Sequence, residues 1–326
     1  MRSKFYDAYR EAVLAGPAID GLPPAAAAPG RANDYISLGR QQQPILLLSC
    51  ASSGALKRPP IRLRNLTVEF GVRFCVRAPA GIVEDDFVVV SLCGDDLGLA
   101  EAFCLTADAL VTALPTVPLA SDIEKAVREF VDLLSALSLP SSRAVAGLWA
   151  ELWLMSVALE PQAAIMAWHR DPNNRFDFSF GSHFVEVKAT ELEQRNHDFS
   201  YEQLRRSEVP VRVASLRLRR AQGGKSVADL VGTLHKRLSA ELRVKLVKNV
   251  FDAIGSAVSE AAEIRFDEEF AKSNLRVITA DLVPTPEIPV RSPISAIRFQ
   301  VNLDDSSLHT HLQELSASAA LLAPPD

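Results

Sequence analysis

The most constraining feature of this chain is a stretch of sixteen residues in which two phenylalanine- and valine-rich runs, Arg175-Phe-Asp-Phe-Ser-Phe and His183-Phe-Val-Glu-Val-Lys-Ala-Thr, flank Gly181-Ser182. Two runs of β-forming residues on either side of a two-residue turn predict a β-hairpin. With Gly181 and Ser182 as the turn, Phe180 faces His183 and, counting back, Asp177 faces Glu186. Side chains alternate along a strand, so Lys188 is expected to join Glu186 on one face, about 7 Å further on. Val185 and Val187 are expected to point the other way, with Phe176 and Phe178. Two opposed carboxylates about 5 Å apart repel by about 3 kcal/mol at an effective dielectric near 20, so a compensating cation is expected between them. Mg2+ suits two carboxylates and a phosphate oxygen, and Lys188 could steer an attacking water or offset charge developing on phosphorus. The plainer alternative is a solvated hairpin face on which Lys188 pairs with Glu186.

A second carboxylate adds to this. Glu151 is the one charged residue between Arg143 and Glu160, and on a helix its neighbours one turn away are Gly147, Leu148, Leu154 and Met155. Burying a carboxylate unpaired costs several kcal/mol, so Glu151 needs a cation or a cavity to face, unless it snorkels beside Trp149 and Trp153.

The surrounding pattern gives the organisation. At 326 residues and 48% hydrophobic, the chain can build two modest cores. Residues 1–34, with a possible short helix and then a Pro/Ala/Gly-rich stretch, read as a flexible arm or linker. Residues 35–118 read as a small β-rich domain, with strands at Pro44–Leu48, Ile61–Phe70, Val72–Val76 and Phe87–Leu92 and a closing helix over Leu97–Leu114. Residues 119–310 read as an α/β (α+β) domain with a mixed sheet flanked by helices, and 311–326 as a tail. Within that domain, Ser121-Asp122 offers an N-cap to a helix running to Leu139, and a second helix is expected from Ser142 to Glu160, then a short helical piece through Trp168. Val209–Arg220 reads as a strand whose alternation slips at Ala214-Ser215, suggesting a bulge. Ser226 is expected to cap a long amphipathic helix carrying Val227, Leu230, Val231, Leu234 and Leu238, and weaker strands fall at Leu275–Val283 and Ile297–Leu303.

Charge is informative by position. A net charge of −5 argues against a protein that coats nucleic acid, but Arg195–Lys248 holds 13 Lys or Arg against 5 Asp or Glu, a candidate phosphate-facing surface or simply a solvated one. Cys50, Cys75, Cys93 and Cys104 lack metal-ligand spacing and read as packed, reduced thiols. With no long apolar run and a charged N-terminal stretch, the expected location is cytoplasmic. His309-Thr-His311 reads as surface tail, His183 and His197 as ordinary surface histidines, and Gly223-Gly224-Lys225-Ser226 as a turn followed by an N-cap.

Gly147-Leu-Trp-Ala-Glu-Leu, Ala167-Trp168, Phe176-Asp177-Phe178 and Val185-Glu186-Val187-Lys188-Ala-Thr together resemble the PD-(D/E)XK nuclease superfamily. More narrowly, they are similar to a bacterial family of PD-(D/E)XK-like proteins long filed as a domain of unknown function. The similarity extends more loosely through Glu202-Gln203-Leu204, Val211–Leu218, Ser226–Val231 and Ile297–Leu303. The resemblance implies a restriction-endonuclease-like fold, Asp177, Glu186 and Glu151 as acids for Mg2+ (with Mn2+ able to substitute), Lys188 acting on the attacking water, and Gln203 as a further site residue. The superfamily's Pro before the Asp is Phe176 here. Kinship also implies a magnesium-dependent endonuclease acting on DNA in a restriction or phage-defence system, as a homodimer or beside other defence proteins. The rival reading is a non-catalytic DNA-binding or assembly subunit on the same fold; an RNA substrate is a third.

Overall fold

The computed structural model describes residues 3–49, 58–63, 65–94, 97–137, 144–169, 175–181, 183–204, 209–287 and 296–305. In chain order its elements are α1 (Lys4–Leu14), β1 (Ala25–Ala27), β2 (Tyr35–Leu38), β3 (Pro44–Ser49), β4 (Ile61–Arg62), β5 (Leu66–Ala78), β6 (Gly81–Leu92), α2 (Leu97–Val111), α3 (Ala120–Ala136), α4 (Val145–Val157), α5 (Pro161–Ala167), β7 (Phe178–Ser179), β8 (Phe184–Thr190), β9 (Asn196–Ser200), α6 (Tyr201–Leu204), β10 (Val211–Arg217), β11 (Arg220–Lys225), α7 (Val227–His235), α8 (Ala240–Ile254), α9 (Val258–Glu263), α10 (Glu268–Ser273), β12 (Leu275–Thr279) and β13 (Arg298–Asn302). The fold is mixed α/β, with antiparallel and mixed sheets, and no described helix is long and apolar enough to cross a membrane. The chain divides into two compact units, residues 1–142 with 239–262, and residues 143–238 with 263–326.

The first unit holds a six-stranded antiparallel sheet in the order β1-β2-β3-β6-β5-β4. Its first residues are not the loosely packed arm that composition suggested. Phe5, Tyr6 and Tyr9 give α1 an apolar face that is buried, and Ala25–Ala27 pair with β2 as an edge strand. Alanine is small enough to pack there despite its weak strand preference. The two strands expected over Ile61–Phe70 and Val72–Val76 are arranged differently: β4 is only a stub, and β5 runs unbroken to Ala78 with a register shift between Glu69 and Val72, at Gly71, whose φ of 61° suits a bulge. Asp122 accepts a hydrogen bond from the Leu119 N–H at 2.9 Å, so it works from inside the first turn of α3 rather than preceding it. By compactness α3 packs with α2 and α8 in this unit, although its sequence position grouped it with the nuclease-like part.

The second unit is built on a four-stranded sheet in the order β12-β10-β8-β7. β8 and β10 are parallel, and the two outer pairings are antiparallel. No bulge interrupts β10: its ladder with β8 is continuous from Val211–Phe184 to Arg217–Thr190. Alternation fails at Ala214-Ser215 because Val213, Ala214, Ser215 and Leu216 are all buried, as a central strand covered on both faces requires. One face carries the core of Phe176, Phe199, Leu204, Val211, Val213, Ile278 and Leu303, closed by the β9–β13 ribbon. α4 packs on β8 and against α7. From Leu148 to Met155 every residue of α4 is buried, so burial rather than amphipathic patterning holds it, at roughly 1.5–3 kcal/mol per large apolar side chain. Ser226 caps α7 as expected, in a reciprocal box with Asp229, although α7 is only nine residues long and α8 follows as a separate helix.

Candidate active site

The hairpin forms in the expected register, with Phe178 opposite Val185 and Ser179 opposite Phe184, closed by Phe180 N–H to His183 O at 3.0 Å. Gly181 takes φ of 83° at the turn, a conformation that only glycine adopts without strain; Ser182 lies outside the described residues. The ladder then stops at Phe178, so the expected pairing of Asp177 with Glu186 does not form. A continued strand would let a backbone carbonyl accept the next inward N–H of β8, that of Val187, but the Asp177 carboxylate accepts it instead, through Oδ2 at 2.8 Å. The chain turns aside there, and Phe176 stacks on Phe184 at 4.9 Å within the core on the Glu186 side. Phe176 is therefore not on the Val185 face where strict alternation put it; Phe178, fully buried opposite Val185, is.

Asp177 thus lies at the edge of β8, in the plane of its hydrogen bonds, while Glu186 and Lys188 share a face of the strand by alternation. The Lys188 ammonium reaches Glu186 Oε1 at 2.8 Å and lies 5.0 Å from the centre of the Phe199 ring. Gln203, on the short helix α6, donates from Nε2 to the same Oε1 at 2.8 Å and accepts the Ser200 N–H through Oε1. Glu186, Lys188 and Gln203 therefore form one hydrogen-bonded group, the pairing anticipated as the plain alternative for Lys188.

Asp177 belongs to a second group. Glu151 is 4% exposed on α4, and its Oε2 accepts the Trp168 indole N–H at 2.6 Å and lies 3.0 Å from His169 Nε2. Ligand atoms of Glu151, His169 and Asp177 all lie within 4.8 Å of one another, the one cluster of this kind among the described residues. The backbone brings them together: Trp168 bridges to Phe178 as an antiparallel partner, and the His169 N–H donates to Asp177 O at 3.0 Å. His169 is a site residue that sequence reasoning missed. Its only sequence signal was adjacency to Trp168 at the end of α5, and nothing in the spacing says that this segment runs beside Phe176–Phe178.

Other candidates resolve plainly. His197 is not a surface histidine: it is 4% exposed, and its Nε2 lies 2.8 Å from Ser215 Oγ. Burial, then the cations Lys188 and Arg195, pull its pKa down to about 4. Arg195 is internal too, donating to the carbonyls of Ser215 and Asn274, and burial lowers it to about 10. Within the basic stretch Arg195–Lys248, Arg195 is buried, and Arg243, Lys245 and Lys248 ride on α8, which belongs to the first unit. Arg219, Arg220 and Lys225 are exposed or half-exposed and pair with Asp267, Glu191 and Glu268. Gly223 and Gly224 lie in β11 rather than a loop. Cys75, Cys93 and Cys104 are free thiols. Cys50, His309 and His311 fall outside the described residues.

With this geometry in hand, comparison with known proteins gives one match. A family model described as "Putative PD-(D/E)XK family member, (DUF4420)" matches residues 84–304, about two thirds of the chain. No curated protein matches, and no solved structure matches.

Proposed function

The chain belongs to the DUF4420 family of PD-(D/E)XK-like proteins, and on that premise we propose that it is a divalent-metal-dependent endonuclease that hydrolyses DNA phosphodiester bonds. Membership itself points to a nuclease-like function; the substrate, the metal and the residue roles are our reading. The observation that carries it is the approach of Glu151 and Asp177 to one another beside the strand that bears Glu186 and Lys188.

The donor set fits a divalent cation. Ligands on adjacent positions of an octahedral ion at about 2.1 Å are about 3 Å apart, and those on opposite positions about 4.2 Å. The cluster of Glu151, His169 and Asp177, spanning at most 4.8 Å, thus needs only side-chain adjustment; Glu186 is not a member of it. Asp177 and Glu151, with Glu186 from β8, would hold a divalent cation such as Mg2+ or Mn2+. When bound, the cation supplies Lewis-acid polarisation of the phosphate and a water acidic enough to ionise near neutrality.

The rest falls to the chain's own groups. Lys188, a half-buried donor inside β8, orients the attacking water and offsets negative charge as it grows on the phosphoryl oxygens. Gln203 fixes the Glu186 carboxylate, and through it the position of Lys188. Trp168 fixes Glu151 in the same manner. The exposed arginines Arg212, Arg219 and Arg220 provide phosphate contacts for the duplex. Kinship extends the proposal to restriction or phage defence, with other defence proteins or a second copy of the chain as partners and a cytoplasmic location.

The test is incubation of the purified protein with supercoiled and linear DNA and Mg2+ or Mn2+, beside Asp177→Ala and Lys188→Ala. Metal-dependent nicking is expected, reduced at least ~100-fold by either substitution with the folded state intact by circular dichroism. If all three proteins bind DNA equally and none cuts, with RNA substrates also intact, the chain is a binding or assembly subunit.

A further inference from the structure

Two carboxylates are the oxygen ligands expected of a magnesium site, yet the third member of the cluster is an imidazole. We propose that His169 is a metal ligand, so that the centre is a mixed carboxylate–imidazole site selective for a first-row transition dication of the Mn2+ kind over Mg2+. This rests on the metal-dependent reading above and deepens it.

His169 is held where it stands by more than chance contact. Its backbone has φ of 41°, left-handed for a residue with a Cβ, a conformation that costs of order 1–3 kcal/mol unless its surroundings fix it. The Asp177 carbonyl fixes it by accepting the His169 N–H, and the ring lies against the Trp168 indole, centroids 5.2 Å apart. The imidazole is thereby aimed at Glu151, with Nε2 3.0 Å from Oε2, the spacing of two adjacent ligands on one octahedral ion, about 3 Å. The Glu151 carboxylate is buried at 4% exposure and is already oriented by the Trp168 N–H, as the carboxylate of a metal site is oriented by a donor behind it. Binding would exchange the Nε2–H to Glu151 hydrogen bond for coordination: the Nε2 proton leaves to solvent, directly from an imidazolium or by a change of tautomer, and the bound ring carries its one proton on Nδ1.

Selectivity follows from donor chemistry. Mg2+ prefers oxygen and gives up its water reluctantly, so it gains little from a nitrogen ligand. First-row transition dications gain more from imidazole. Removing the ring should therefore cost Mn2+ affinity and leave Mg2+ affinity nearly where it was.

Mn2+ titration followed by the electron paramagnetic resonance of the free aquo ion tests this in the full chain, its His169→Ala variant and its His169→Gln variant. The glutamine variant keeps a hydrogen-bonding group toward Glu151, so it remains informative if alanine unfolds the loop. Both variants are expected to bind Mn2+ at least ~10-fold more weakly, with Mg2+ affinity, read by competition, changed less than ~3-fold. Pulsed spectra of the wild-type Mn2+ complex are expected to carry an imidazole nitrogen coupling that both variants lose. Unchanged Mn2+ affinity in His169→Gln, an equal loss for both metals, no nitrogen coupling in the wild type, or no Mn2+ binding at all would overturn the assignment. A wild-type protein that binds Mn2+ through nitrogen but cuts no DNA would sink the nuclease reading and leave the ligand standing. Efficient cutting with Mn2+ affinity unchanged by His169→Gln would do the reverse.

Discussion

His197 converts its burial into a measurable pH dependence. Inside β9 it is sheltered from water, and its folded-state pKa of about 4 lies below the ordinary 6.5. Above pH 6.5 neither the folded nor the unfolded chain protonates it. As pH falls from about 6.5 to about 4 only the unfolded chain takes the proton, so stability declines across that window and stops declining below it. The full shift corresponds to roughly 3 kcal/mol. Urea unfolding at pH 7 and pH 4.5 should show the wild type losing about 2 kcal/mol more than His197→Asn between the two conditions. Equal losses would mean that the imidazole is not buried in the neutral form. At this scale the sequence was readable where local geometry decides. The register of Phe178 with Val185, the Lys188–Glu186 proximity and the buried Glu151 all follow from a turn, an alternation and a helical spacing. His169 and His197 did not follow, because their surroundings come from other segments: His169 from the bridge of Trp168 to Phe178, and His197 from the serine of β10, 18 residues on.

At the scale of elements, β11 offers a sharp contrast between neighbouring glycines. A Cβ on Gly224 would fall 2.2 Å from the carbonyl oxygen of Phe266, a backbone atom that no rotamer change can move, whereas one on Gly223 would meet nothing within 4 Å. Gly224→Ala is expected to destabilise the protein by at least ~2 kcal/mol and Gly223→Ala by no more than ~0.5, read as thermal unfolding midpoints. Comparable shifts for the pair would show that β11 does not pack on the Phe266 segment as described. The elements with their own punctuation were legible: the Ser226–Asp229 box at the start of α7 and the glycine turn of the hairpin. The elements decided by what covers them were not. β10 looked bulged because a strand buried on both faces loses its alternation, and β1 was passed over because alanine, proline and glycine resemble a linker until a sheet edge is present to receive them; α1 was expected as a short helix, but not its buried face.

For the whole molecule, the two units share the chain in an interleaved order: the first lends residues 143–238 to the second and resumes with 239–262. A break at residue 143 therefore does not separate them. The fragment 143–326 would carry α8 away from α2 and α3, leaving Leu246, Val247, Val250 and Phe251 without the helices that cover them. It is expected to bind a hydrophobic dye and self-associate. The same fragment with residues 239–262 replaced by a flexible Gly/Ser linker of about a dozen residues should stay monomeric and unfold cooperatively, as light scattering and denaturant titration would report. A monomeric, dye-silent 143–326 would contradict the division. The interleaving also sets a timetable during translation. Helix α8 leaves the ribosome about a hundred residues after the last of the segments it must join, a delay of roughly 5–20 seconds at ordinary elongation rates. Through that interval the faces of α2 and α3 that pack on α8 stay uncovered, and they close only once residue 254 has docked.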